Sequence, residues 1–76
     1  MRAYLLITTK PGTSEEVVKE IKRRVKGILY VDSVYGRYDV IAVIEAPDLE
    51  KINEIVYKTV EKDPKIIHTE TSITLF

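Results

Sequence analysis

The segment Tyr38-Asp39-Val40-Ile41-Ala42-Val43-Ile44 is apolar at both of its alternating sets of positions. Val40, Ala42 and Ile44 form one set, Ile41 and Val43 the other. Successive side chains of a strand point to opposite sides of a sheet, so this strand needs a packing partner on each side. A chain of 76 residues makes one small domain and has too little material to supply both. Its own helices can cover one side, and a second subunit is the expected cover for the other.

Composition points the same way. Domains below ~80 residues rarely draw more than about 3–5 kcal/mol from a single core and need a further source of stability. The chain has no cysteine, which excludes disulfides and thiolate metal sites and leaves oligomerisation. Its 12 basic and 12 acidic side chains cancel, so there is no overall field to draw in a phosphate backbone. The apolar run Tyr4-Leu5-Leu6-Ile7 is too short for a membrane span and is followed by no small-residue cleavage site. A cytoplasmic protein is the expectation. One asparagine, no glutamine and a dense mixture of charges resemble the usage of hyperthermophiles.

The chain reads as a single compact unit without linker or low-complexity segment. Residues 2–9 form a strand candidate, with Ala3, Leu5 and Ile7 on one side and Tyr4 and Leu6 on the other. Pro11-Gly12 is a turn, and Thr13 with Glu16 has the spacing of a capping box. A helix over about 14–26 presents Val17, Ile21 and Val25, with Val18 beside them, and Gly27 is its expected cap. A second strand over about 28–35, a Gly36-Arg37 hairpin and a third strand over about 38–45 follow. Asp48 is the expected N-cap of a second helix whose buried stripe is Leu49, Ile52, Val56 and Val60, ended by Asp63-Pro64. The last strand candidate runs from Ile66 to Phe76, polar along one side. The order βαββαβ with right-handed crossovers predicts an α+β, ferredoxin-like fold: a four-stranded antiparallel sheet with both helices on one face. The first and third strands lie at the centre of that sheet, and these are the two that are apolar on both sides.

The sequence offers little for catalysis beyond an acid/base pair of His68 with Glu70. His68 is the only histidine; beside Glu70 it provides two of the three or four ligands a metal site needs. No Ser-His-Asp set and no glycine-rich phosphate loop can be assembled. The basic stretch Lys22, Arg23, Arg24 and Lys26 reads as a solvated helix end complementing its dipole. The five tyrosines fit either a subunit interface or ordinary packing at the core edge. In Val34-Tyr35-Gly36-Arg37-Tyr38-Asp39-Val40, Gly36 allows positive φ and leaves backbone amides uncovered for a small anionic group. Asp39 offers a carboxylate for an ammonium, and Thr69, Thr71 and Ser72 add hydroxyls. Together these would suit a small amino acid, although by spacing alone glycine and aspartate in a hairpin are normally ordinary turn chemistry.

The chain resembles the C-terminal ligand-binding module, or RAM domain, of the leucine-responsive regulatory protein (Lrp/AsnC) family. The resemblance spans the opening strand Ala3-Tyr4-Leu5-Leu6-Ile7, Pro11-Gly12, Gly36-x-Tyr38-Asp39, Asp48-Leu49 and Thr69-Glu70-Thr71-Ser72-Ile73-x-Leu75. It departs from the family pattern at Tyr35, where a threonine is common. The resemblance implies a single RAM domain over 1–76 that dimerises through its sheet and assembles into rings, commonly octamers. It implies amino-acid effectors bound between dimers, with Gly36, Arg37, Tyr38 and Asp39 as the effector loop and Thr69 and Thr71 as contacts. No cofactor or metal is expected. Full-length members carry a helix-turn-helix domain, whereas this chain reads as a stand-alone module without direct DNA binding. It would act on transcription by co-assembly with DNA-binding relatives. Two alternatives stand beside this non-enzymatic reading. One is a small dimeric ferredoxin-like enzyme of the cofactor-free oxygenase or isomerase type, using His68 and Glu70. The other is a ring scaffold without ligand.

Overall fold

The computed structural model describes all residues, 1–76. The elements are strand β1 (Arg2–Thr9), helix α1 (Ser14–Arg24), strands β2 (Ile28–Ser33) and β3 (Val40–Glu45), helix α2 (Leu49–Ile55) running into a π-helical turn (Val56–Val60), and strand β4 (Ile66–Ile73). The sheet has the order β2-β3-β1-β4, all neighbours antiparallel. This is the ferredoxin-like α+β arrangement, with β1 and β3 in the middle.

Alternation along the central strands sorts the two faces. Ala3, Leu5 and Ile7 of β1 and Val40, Ala42 and Ile44 of β3 are buried against Val17 and Ile21 of α1 and Ile52, Val56 and Val60 of the second helix. Fully burying one such aliphatic side chain contributes roughly 1.5–3 kcal/mol as an upper bound. The other face has no helix over it. Cross-strand pairing lays out two rows there: Asp32, Ile41, Leu6 and Glu70 in one, Tyr30, Val43, Tyr4 and Ser72 in the next. The centre of both rows is apolar, and the chain leaves it uncovered: Tyr4 is 38% exposed and Tyr30 68%.

Several local expectations are corrected. Thr13 does not form a capping box: its hydroxyl donates to the Lys10 carbonyl, 2.7 Å, and no side chain caps α1. The Thr13 amide also donates to the Lys10 carbonyl, closing a turn with Pro11 and Gly12 (φ +80°) at its centre. Helix α1 stops at Arg24, short of residue 26, because Val25 is already extended and Gly27 (φ +82°) turns the chain. Asp48 does cap α2, accepting from the Lys51 amide at 2.9 Å. Leu49, assigned to the buried stripe, is 48% exposed. Ile52, Val56 and Val60, spaced by four, drift by roughly 40° per step on a 3.6-residue turn. The wider π turn takes up that drift, closed by the Glu61 amide donating to the Val56 carbonyl five residues back.

In β2 the register shifts between Ile28 and Tyr30, so Ile28 pairs with Ile44 and Val31 with Ala42. The extra residue, Leu29, puts Ile28 and Val31 on the same face, where simple alternation separates them. The strands also end earlier than expected. β2 stops at Ser33 and β3 begins at Val40, so the hairpin is a six-residue connection, Val34 to Asp39. β4 ends at Ile73, and Leu75 (90%) and Phe76 (111%) lie exposed beyond it.

Candidate functional site

The Val34–Asp39 connection is fixed at its base by backbone and at its side by two carboxylates. The Val34 amide donates to the Asp39 carbonyl, 2.9 Å, and the Asp39 amide donates to the Ile7 carbonyl, 2.9 Å. Asp39 Oδ2 accepts from the Thr9 amide at 2.8 Å. That bond occupies the end of β1, where β3 has not yet begun and the ladder has no backbone acceptor to offer. The second oxygen of Asp39 has no protein partner. The Tyr38 hydroxyl donates to Glu70 Oε2 of β4, 2.8 Å. This bond, with burial and the charge of Glu70 adding to it, holds the phenol above its ordinary pKa. The Arg37 guanidinium stands 5.9 Å from the centre of the Tyr38 ring and pairs with no carboxylate.

Gly36 does not take the left-handed conformation expected of it; positive φ occurs at Gly12 and Gly27. A Cβ at Gly36 would meet nothing within 4 Å, so the position is an open stretch of backbone rather than a conformational necessity. Tyr35 projects fully into solvent.

The six sequence-predicted residues are not all on one surface. Gly36, Arg37, Tyr38 and Asp39 are contiguous in the connection. Thr69 and Thr71 pair with Ile7 and Leu5, whose side chains face the helices, so they belong to the helix-facing side of β4. The residues of β4 on the uncovered face are His68, Glu70 and Ser72, opposite Thr8, Leu6 and Tyr4. Glu70, weighed at the sequence level only as a partner of His68, is the β4 residue in direct contact with the connection. Alternation along β4 already separates Glu70 from the two threonines; only the tertiary pairing shows that Tyr38 reaches it.

His68 Nε2 lies 3.7 Å from Glu70 Oε1. No group of three potential metal ligands exists in the structure. The space between sheet and helices, where an enzymatic pocket would lie, is filled by aliphatic side chains, with Thr9 the single buried polar residue. No helix is long and apolar enough to cross a membrane.

The sequence matches the family described as the Lrp/AsnC ligand binding domain over residues 2–75. The chain belongs to that family. Among solved structures, this Lrp/AsnC domain is similar to the hypothetical protein PHS023 from Pyrococcus horikoshii, with 27% identity and a TM-score of 0.90 over 99% of this chain and 89% of that one. It is similar to FFRP-DM1 at 27% identity and a TM-score of 0.90, covering 97% of both chains. The fold also matches the transcriptional regulator NMB0573 from Neisseria meningitidis, solved as a complex with L-Met, at 14% identity and a TM-score of 0.84. There 99% of this chain covers 49% of that one. None of the curated proteins matches. The family makes the chain a ligand-binding domain of the Lrp/AsnC type.

Proposed function

We propose that this Lrp/AsnC domain binds a small amino acid at the Val34–Asp39 connection and dimerises through its uncovered sheet face, with dimers assembling into a ring. The reading is carried by one arrangement: a free carboxylate oxygen on Asp39, an unpaired guanidinium on Arg37 and bare backbone at Gly36, all within four residues. That sequence of charges is complementary to a zwitterion. The ammonium goes to Asp39; the carboxylate goes to Arg37 and the backbone amides beside Gly36. Each charge-assisted hydrogen bond contributes about 1.5–3 kcal/mol. The L-Met complex of NMB0573 supports amino acid as the ligand class. Thr69 and Thr71, on the other side of β4, would complete the site only from a neighbouring subunit or dimer, which agrees with a site shared in the ring.

The uncovered face supports dimerisation. Leu6, Ile41 and Val43 are half-buried with no helix above them, and Tyr4 and Tyr30 flank them. Burying these side chains against a second copy is comparable to the whole stability of a domain of this size. An effect on transcription would come through co-assembly with DNA-binding relatives using the same contacts. Isothermal titration against the twenty amino acids tests the reading. Saturable heat with a small set of them is expected, and no binding across the panel contradicts it.

A further inference from the structure

The two helices enclose a groove of about 320 Å³ on the side of the molecule away from the uncovered sheet face. We propose that this groove binds a small phosphate-bearing anion, at a site separate from the Val34–Asp39 connection. Its walls bring together Arg24, the last residue of α1, and Lys26 just beyond it with Lys51 and Lys58 from the second helix. Against these four cations stands one carboxylate, Glu54. The groove lining therefore carries a surplus of three positive charges in a chain whose total is zero, one of them, on Arg24, paired with Glu20 outside the lining.

Local pairing offsets the lysines only in part. Glu54 Oε1 is shared between Lys51 Nζ, at 3.3 Å, and Lys58 Nζ, at 3.9 Å, so one carboxylate serves two ammonium groups. Lys26 has no acidic partner, and Arg24 is turned by its Nε toward Glu20, 3.2 Å away. Helix-dipole compensation accounts for the cations ending α1 but not for Lys51. That residue lies in the first turn of α2, where a positive charge opposes the dipole. The floor is apolar, from Val25 and the half-buried Ile55, and Thr59 adds a hydroxyl. Lys58 and Thr59 both come from the π-helical turn, a departure from α geometry that recurs at functional sites.

A concave wall of clustered cations with an apolar floor and a hydroxyl fits a compact ligand carrying two or more negative charges. A polymeric phosphate backbone fits poorly, because the acidic remainder of the surface would repel it. A zwitterionic amino acid gains little from three surplus cations, which keeps this site distinct from the proposed effector site.

The test is an NMR titration of the full chain with pyrophosphate at low, matched ionic strength, with chloride as the control. The expected result is saturable amide shifts confined to residues 24–26 and 51–59. Lys26→Glu and Lys58→Glu, both at exposed positions, each weaken that binding by at least about tenfold while leaving the spectrum of the folded protein intact. Absence of saturable shifts, shifts spread over lysines outside the groove, or affinity unchanged in both variants overturns the proposal. Amino-acid binding unaffected by both variants is expected, so failure here and failure at the effector loop are read separately.

Discussion

The hydroxyl of Tyr38, in the connection between β2 and β3, donates to the carboxylate of Glu70 on β4 at 2.8 Å. The bond spans β1, which lies between β3 and β4 in the sheet, and ties the proposed effector loop to the uncovered face. Glu70 lies in the same row as Leu6 and Ile41, the residues a second subunit would cover. The loop and the proposed dimer face therefore share a side chain. Tyr38→Phe removes the donor and keeps the ring. The expected outcome is a small change in melting temperature, since the pair is largely solvated, and a weaker amino-acid affinity, both measurable on one preparation.

The same bond sets a pH dependence. Glu70 raises the pKa of Tyr38, so the neutral phenol is favoured in the folded protein. A raised pKa contributes stability that is fully present below the unfolded value, about 10 for tyrosine, and is lost as pH rises through the folded value. Titration of tyrosinate absorbance is expected to show a phenol that ionises above the ordinary tyrosine range. Glu70→Gln, which removes the charge, should lower its pKa toward the ordinary range.

Asp39 has two tasks that separate by substitution. Oδ2 satisfies the Thr9 amide, and the net charge serves the proposed ammonium contact. Asp39→Ala leaves that part-buried amide without an acceptor, at a cost of about 1–3 kcal/mol, and lowers the melting temperature. Asp39→Asn keeps an acceptor oxygen and removes the charge. Its melting temperature should stay close to wild type while amino-acid affinity falls about tenfold or more.

Gly27 is expected to be the least replaceable glycine. It has φ +82°, its carbonyl accepts from the Glu45 amide at 2.9 Å, and an added Cβ would run into the Glu45 carbonyl oxygen. Gly27→Ala should destabilise by more than about 1 kcal/mol in denaturant unfolding. Gly36→Ala, with open space around it and no positive φ, should leave stability unchanged.

The two-sided character of β1 and β3 was legible in the sequence because period-2 alternation reports burial directly, and the sheet order because βαββαβ with right-handed crossovers places those strands at the centre. Val40, Ala42 and Ile44 against Ile41 and Val43 needed no structure to be sorted. What was not legible depends on register or on distant partners. The extra residue at Leu29 reverses the facing of its neighbours without any turn signal, and the Thr13 hydroxyl donates to the Lys10 carbonyl instead of accepting from the first turn of its own helix. Asp39 reads as turn chemistry until the Thr9 amide, 30 residues away, is seen donating to its carboxylate. The four cations of the helix groove come from two segments that only the packing of α1 against the second helix brings together.

The central claim is that the apolar sheet face does not remain in water. Sedimentation of the wild-type chain in dilute solution, compared with Ile41→Glu, tests it most directly. Ile41 is half-buried at the middle of the uncovered face, and a carboxylate there would be unpaired in any sheet-to-sheet contact. Wild type sedimenting as a dimer or larger ring, with Ile41→Glu folded and shifted to monomer, is the result predicted. A wild-type chain that sediments as a stable, folded monomer contradicts the account.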